Sequence, residues 1–317
     1  KGNNIFTPDF SIDKTVSMTK GENGALQMVA LSGAKEGEAD YGVSEIAVEN
    51  QKLVINRSAK SWDGFKMWLN SDETAIKDKV VAASFDVQRS SKNTGFEFRL
   101  TNSFNNGNES VGVALNVNDV IAVRGQTSKI NNGGKYPSNI VTDTVNHSVR
   151  FTLMYNPIEE AGSAWVTYQD NGVEKTELLS SGAYPRVAGG VYGVYCFSEE
   201  GNAGKVEISN LTFYEAEPTE LDKVNYAVNY AQDTLQGTLG IITENTELPA
   251  SYKGVNLSYS TTDSCVAVEN GMLVVKEARP DQNIPVALTV TASSNGISVP
   301  VTLNLEVGID KTVPVPV

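Results

Sequence analysis

Along most of the chain apolar and polar residues alternate with a period of two, the spacing of a half-buried strand. Val80 to Val87 sets Val81, Ala83, Phe85 and Val87 against Ala82, Ser84 and Asp86. Gly95 to Leu100 sets Phe96, Phe98 and Leu100 against Glu97 and Arg99. The same alternation marks strands at 43–48, 52–56, 64–69, 111–117, 120–124 and 149–155. Ala164 to Gln169 turns at Asp170-Asn171-Gly172 into Val173 to Leu178, and Asn-Gly between alternating runs is the strongest short-range hairpin signal. Strands at 191–197 and 205–214 follow. Gly33 to Asp40 and the Gly/Asn-rich stretch Thr127 to Asn139 read as loops. Residues 1–40 are weakly patterned, with Ile5, Phe6 and Phe10 placed to dock an N-terminal strand.

The pattern breaks at Glu215-Ala216-Glu217-Pro218-Thr219-Glu220, where a strand ends and acids and a proline replace apolar residues. Leu221 to Leu235 then carries Leu221, Val224, Val228, Ala231 and Leu235 at helical spacing. Strands resume at 257–260, 266–268, 272–275, 284–293 and 299–307, with Asn270-Gly271 and Asn295-Gly296 as hairpin turns. The expected fold class is all-β, in two domains. Residues 1–217 hold roughly ten or more strands, too many for an immunoglobulin sandwich and suited to a jelly roll. Residues 218–308 suit a smaller immunoglobulin-like sandwich with one short helix, and 309–317 a linker-like tail.

The net charge of -13 excludes the function classes that need a basic footprint. Nucleic-acid binding requires clustered Lys and Arg to neutralise phosphates, and an anionic membrane surface repels an acidic chain. After Pro218 there are 5 basic and 11 acidic residues, a balance of -6 that leaves -7 for the first part, so the acidity is a solubility feature and not a tail. No apolar run is long enough for a membrane helix, so membrane insertion is not expected. Cys196 and Cys265 fall in different domains, and two buried unpaired thiols are the expected reading. Lys1 opens without a leader and the Pro/Val-rich end reads as a linker, so the chain is expected to be part of a longer protein with further linked domains.

Two resemblances add to this reading. In the second domain Leu248-Pro249, Leu257-Ser258-Tyr259-Ser260-Thr261-Thr262-Asp263, Val268-Glu269-Asn270-Gly271 and Val286 to Ala292 follow a short helix. This set resembles the atrophied bacterial immunoglobulin-like domains of secreted Gram-positive polysaccharide-degrading enzymes, with Tyr259-Ser260 where that family usually has Trp-Thr. The resemblance implies a spacer or accessory unit without chemistry of its own. In the first domain Ser148 to Leu153, the Asn171-Gly172 hairpin, Gly190 to Phe197 and Lys205-Val206-Glu207-Ile208-Ser209-Asn210-Leu211-Thr212-Phe213-Tyr214 resemble concanavalin-like, laminin-G-like jelly rolls of the carbohydrate-binding-module type. Ser209 replaces an acidic residue common there, which weakens a calcium site at that strand. Together they imply a bacterial protein that is secreted or held at the cell surface.

Candidate chemistry is sparse. Triad catalysis needs a histidine base, and the one histidine, His147, stands at a strand entrance beside Asn146, where a solvated side chain is expected. Glycosidase work needs two facing carboxylates; Asp86, Glu97 and Glu207 are the candidates on polar strand faces, without the Glu-x-Asp-x-x-Glu strand motif that concanavalin-like hydrolases tend to carry. Sugar binding needs aromatic faces flanked by polar groups, because apolar sugar faces stack on rings. Trp62, Lys66 and Trp68 form the densest such group, with Arg99, Arg124, Tyr136 and Trp165 as further ligand-binding candidates. No cofactor is expected; a metal, if bound, is structural calcium, with Asp72, Glu73 and Asp119 as candidates. The expected function is a non-catalytic accessory segment that binds polysaccharide or oligosaccharide. The alternatives are an adhesin or spacer without a sugar site and, third, a jelly-roll hydrolase or lyase.

Overall fold

The computed structural model describes residues 2–7, 10–12, 14–15, 26–30, 45–57, 63–69, 78–101, 110–115, 120–124, 136–183, 193–198, 203–279 and 281–308. The chain divides into two compact units, Lys1–Glu217 and Pro218–Val317. In the first, β1 (Asn4–Phe6), β2 (Lys14–Thr15), β3 (Leu26–Ala30), β4 (Glu45–Glu49) and β5 (Lys52–Arg57) come first. β6 (Asp63–Leu69), β7 (Val81–Arg89), β8 (Phe96–Thr101), β9 (Ser110–Leu115) and β10 (Val120–Arg124) follow. β11 (Tyr136–Val141), β12 (Val149–Asn156), β13 (Ala161–Asp170), β14 (Val173–Ala183), β15 (Gly193–Ser198) and β16 (Gly204–Glu215) complete it.

These strands make two antiparallel sheets. One runs β14-β13-β12-β7-β16-β5-β4-β2 with β1 also on β16; the other runs β11-β10-β9-β8-β15-β6-β3. Non-sequential neighbours such as β7 beside β16 and β8 beside β15 are the long crossovers of a jelly-roll sandwich. Between the sheets lies one apolar core from both inner faces, including Phe85, Phe98, Phe151, Leu153, Val113 and Phe213. Phe85 is its hub, with ring centroids 4.0 Å from Phe98 and 5.8 Å from Phe151. A buried cation closes one end. Arg89 Nε donates to Thr144 Oγ1 at 2.9 Å, and its guanidinium also donates to the carbonyls of Thr94, Leu115 and Lys92.

The last strand shows how local sequence sets the faces. Val206, Ile208, Leu211 and Phe213 are buried, so the apolar period slips by one residue after Ile208. The register explains it: Ser209 faces Asp86 and Thr212 faces Ser84, which leaves one extra residue on β16. That is a β-bulge, and Asn210 occupies it at φ 52°, a left-handed conformation that asparagine tolerates. The Ile-Ser-Asn-Leu signature is therefore the sequence of a bulge.

The second unit opens with helix α1 (Glu220–Tyr230), a π turn (Ala231–Leu235) and α2 (Gln236–Leu239). Thr219 caps it reciprocally: its hydroxyl accepts from the Asp222 N–H at 3.1 Å while Asp222 Oδ2 accepts from the Thr219 N–H at 2.7 Å. Ala227, Ala231, Leu235 and Leu239 are buried at a strict four-residue interval. On an ideal helix such a repeat drifts by about 40° per step, and the wider π turn absorbs the drift. Strands β17 (Ile241–Ile242), β18 (Thr246–Glu247), β19 (Ser251–Tyr252), β20 (Val255–Ser260) and β21 (Val266–Glu269) follow. β22 (Met272–Val275), β23 (Ile284–Ser294) and β24 (Ile297–Val307) end the unit. The sheets run β17-β24-β23-β20-β19 and β18-β22-β21. The Thr261-Thr262-Asp263 segment stitches to β23: Asp263 Oδ2 accepts from the Ala287 N–H at 2.7 Å, and Thr261 Oγ1 donates to the Ala287 carbonyl at 2.9 Å.

Several elements differ from the sequence reading. β11 lies within the stretch read as loop up to Asn139, because a proline and an asparagine in its middle mask the alternation. The helical segment extends four residues beyond Leu235. In β3 Val29 stands at the position that alternation would make polar, and the two-residue strands β17 to β19 carry too few residues for a period to show.

Glu220 anchors the helix start to the β23–β24 turn. Its carboxylate accepts from Lys223 at 2.8 Å, from Ser294 at 3.0 Å and from Asn295 at 2.9 Å, and these bonds, Lys223 first, hold its pKa below the ordinary value. A lowered folded pKa stabilises the unit above the unfolded carboxyl value, about 4.3, and that contribution is lost as pH falls through the folded value. Glu220→Gln should therefore reduce hydrogen-exchange protection of residues 220–230 at pH 6, and the difference from wild type should shrink on acidification below about pH 4. A difference that grows on acidification contradicts the assignment.

Candidate carbohydrate-binding face

The core fixes which residues occupy the other side of the seven-stranded sheet. Phe96, Phe98 and Leu100 are buried in the core, so the alternating Glu97 and Arg99 occupy the face away from it. Residues directly opposite one another in a ladder share a face. Arg99 pairs with Gly112 on β9 and Tyr195 on β15, Gly112 pairs with Arg124 on β10, and Tyr195 pairs with Lys66 on β6. One transverse row thus reads Arg124, Gly112, Arg99, Tyr195, Lys66. Four strand spacings of ~4.8 Å give it a length of about 19 Å. On one side of this row Trp68 pairs with Gly193 and with Gln27; on the other Phe197 pairs with Glu97 and with Gly64.

Glu97 and Arg99, two residues apart on β8, form an ion pair on this face. Arg99 donates from Nε at 3.3 Å and from Nη2 at 3.0 Å, both to Glu97 Oε2. The side chains are 7% and 2% exposed, so the pair is withdrawn from solvent although it lies outside the core. Arg99 occupies the polar face expected of it, but as a buried, paired charge. It is a buried partner of Glu97 and not an open guanidinium.

The register therefore brings Lys66, Trp68, Arg99 and Arg124 to one face. It does not bring Tyr136 or Trp165 there. Tyr136 pairs with Val123, which pairs with Val113 of the core, so it has the opposite face parity, at the sheet edge. Trp165 pairs with Thr152 and Leu178 on the outer face of the other sheet. Trp62, Asp72, Glu73 and Asp119 lie outside the described residues. Among the described residues no group of three or more His, Cys, Asp or Glu is placed to hold a metal ion.

The three carboxylates considered for acid–base work are not assembled into a site. Asp86 and Glu207 lie on the outer face of the nine-stranded sheet, each with its own cation: Arg150 donates to Asp86 at 2.7 and 3.0 Å, and Lys52 sits 3.4 Å from Glu207. Glu97 is on the other sheet. His147 is exposed at its strand entrance, and its backbone N–H donates to the Asp143 carbonyl at 2.9 Å. Cys265 is free and buried, and burial raises its thiol pKa, which makes it inert. Two residues of the face, Tyr195 and Phe197, escape a reading of the sequence. Their alternation shows that they share a side of one strand, but nothing in it shows that this strand lies between β6 and β8.

No family model matches the chain, and no curated protein matches it. Some solved structures are similar to it at a low level. Arcelin-5, a lectin-like defence protein from Phaseolus vulgaris, is 10% identical with a TM-score of 0.39, over 63% of this chain and 97% of that one. The exoplasmic/lumenal domain of VIP36 bound to Ca2+ and Man3GlcNAc is 10% identical with a TM-score of 0.39, over 57% of this chain and 86% of that one. The CBM2 module of the evolved Dit of Lactobacillus casei BL23 phage J-1 is 10% identical with a TM-score of 0.39, over 67% of this chain and 95% of that one.

A buried ion pair is costly to break and cheap to replace whole. Arg99→Met or Glu97→Gln alone should destabilise the first unit by about 3–5 kcal/mol in chemical denaturation. Glu97→Leu with Arg99→Met should recover most of that loss. A double variant as unstable as the sum of the singles contradicts the coupling.

Proposed function

We propose that residues 1–217 form a non-catalytic carbohydrate-binding module whose glycan lies across the outer face of the seven-stranded sheet. One observation carries the reading: the register sets Arg124, Arg99, Tyr195 and Lys66 in a single row, flanked by Trp68 and by Phe197. Aromatic residues supply stacking faces for sugar rings, and cationic residues supply hydrogen bonds to hydroxyls or carboxylates. Gly64, Gly112 and Gly193 stand beside the large residues, and glycine within a strand marks a place where a ligand approaches the backbone closely. With Arg99 balanced by Glu97, Lys66 and Arg124 are the two further cationic positions of the row, and in a chain with net charge -13 they favour an anionic glycan, such as a uronic-acid polymer. The wider setting rests on the sequence resemblances: an accessory segment of a secreted bacterial polysaccharide-degrading protein, with residues 218–308 as an immunoglobulin-like spacer. A structural calcium ion held by Asp72, Glu73 or Asp119 rests on the oxygen-donor chemistry of those side chains alone.

A structural module without a sugar site is the second reading, and the same face offers its support. Trp68 beside Gly193 and Phe197 beside Gly64 are also the pairs by which an aromatic residue shields a strand glycine, and the Glu97–Arg99 pair is buried.

Affinity gel electrophoresis separates the two. Wild type should be retarded by polygalacturonate or alginate more than by neutral glucan, and less so as salt rises. Trp68→Ala, Tyr195→Ala and Lys66→Ala should each weaken binding by roughly tenfold, about 1.4 kcal/mol, with circular dichroism unchanged. Folded variants retarded as strongly as wild type sink the proposal.

A further inference from the structure

The outer face of the nine-stranded sheet carries a second arrangement of polar groups around a tryptophan. One transverse row reads Ser209, Asp86, Arg150, Thr167, Thr176, and the adjacent row reads Thr212, Ser84, Thr152, Trp165, Leu178. Trp165 is half-buried, while Arg150, Thr176 and Asn210 are exposed. Five strands at ~4.8 Å spacing make the strip about 19 Å long, the span of a short oligosaccharide.

Three features hold the polar groups rigid. Arg150 is locked fork to fork on Asp86, from Nε at 2.7 Å and from Nη2 at 3.0 Å. Asn210, fixed in the β-bulge, donates from Nδ2 to the same carboxylate at 2.7 Å. Thr167 and Thr176 share a hydrogen bond of 2.8 Å across β13 and β14. Rigid groups so held keep unused valences. Among the described residues Arg150 Nη1, Asn210 Oδ1 and the Trp165 indole N–H make no hydrogen bond. Two donors and one acceptor are thereby presented to solvent, beside an indole ring whose cross-strand neighbours are a threonine and a leucine.

We infer that this strip is a second glycan-binding surface, built for an uncharged polysaccharide strand that stacks one ring on Trp165 and hydrogen-bonds to Arg150 and Asn210. Charge selects the class of ligand. The guanidinium of Arg150 is already matched by Asp86, and Glu174 on β14, opposite Gln169 on the same face, adds only negative charge, so a uronate gains nothing here. Preorganised donors recognise hydroxyls without further ordering cost. The surface lies on the opposite side of the sandwich from the face proposed above and does not depend on it. With both occupied, the module bridges two polysaccharide chains of different charge.

Oxidative footprinting of the native chain reads each face separately. N-bromosuccinimide oxidises indoles, and peptide mass spectrometry follows Trp62, Trp68 and Trp165 independently, without any substitution. In mixed-linkage β-glucan, xylan or mannan at about ten times the dissociation constant, the oxidation rate of Trp165 should fall by about tenfold. Polygalacturonate should leave Trp165 unprotected. Trp165→Ala should abolish pelleting with insoluble neutral glycan. Protection of Trp68 alone upholds the first face and overturns this inference; protection of Trp165 alone does the reverse. If Trp165 is oxidised at the same rate with and without every neutral glycan, the surface does not bind sugar.

Discussion

The structure of the first unit depends on the period of two along its strands, because that period commits both faces of a sheet at once. Phe98 is fully buried, its ring 4.0 Å from that of Phe85 on the opposite sheet. A slip of one residue in β8 would exchange Phe98 for Glu97 or Arg99 and put a charge into the core, at a cost far above what the pairing gains. Core packing therefore dictates that Glu97 and Arg99 share the far face. The ladders with β9 and β15 then carry that choice to Gly112, Tyr195 and Phe197, and through β15 to Lys66 and Trp68. The candidate site is in this sense a by-product of the Phe85 core.

How far the sequence discloses this follows from what each signal contains. Alternation over 81–87 and 96–100 is long enough to expose the strands and their inner faces, and Asn171-Gly172, Asn270-Gly271 and Asn295-Gly296 mark hairpins because both turn residues need positive φ. Two further described turns of this kind, Asn50-Gln51 and Lys253-Gly254, lack the Asn-Gly pair that announces one. Alternation is a local property and carries no information about which strand lies beside which. Lys66 and Trp68 could be grouped from their own strand, but their proximity to Tyr195 and Arg99 depends on crossovers between distant segments. A solvent-facing role is also invisible locally: Arg99 alternates like an exposed residue and is buried, because Glu97 two positions away supplies its counter-charge.

The two outer faces solve their electrostatics differently. On the nine-stranded sheet two described acids have a cation close by: Asp86 with Arg150 and Glu207 with Lys52. On the seven-stranded sheet the row holds Lys66, Arg99 and Arg124, and Glu97 in the next row balances Arg99. The second unit shows the structural use of the same chemistry, where Glu220 and Asp263 spend their carboxylates on tying turns and strands together.

The most direct test of the account is an amide chemical-shift map of the full chain titrated with an oligogalacturonate. The account predicts that the largest shifts fall at residues 64–68, 97–99, 112–114 and 193–197, four segments distant in sequence that the register makes neighbours. Shifts confined to the second unit, or scattered without regard to the sheet, would contradict it.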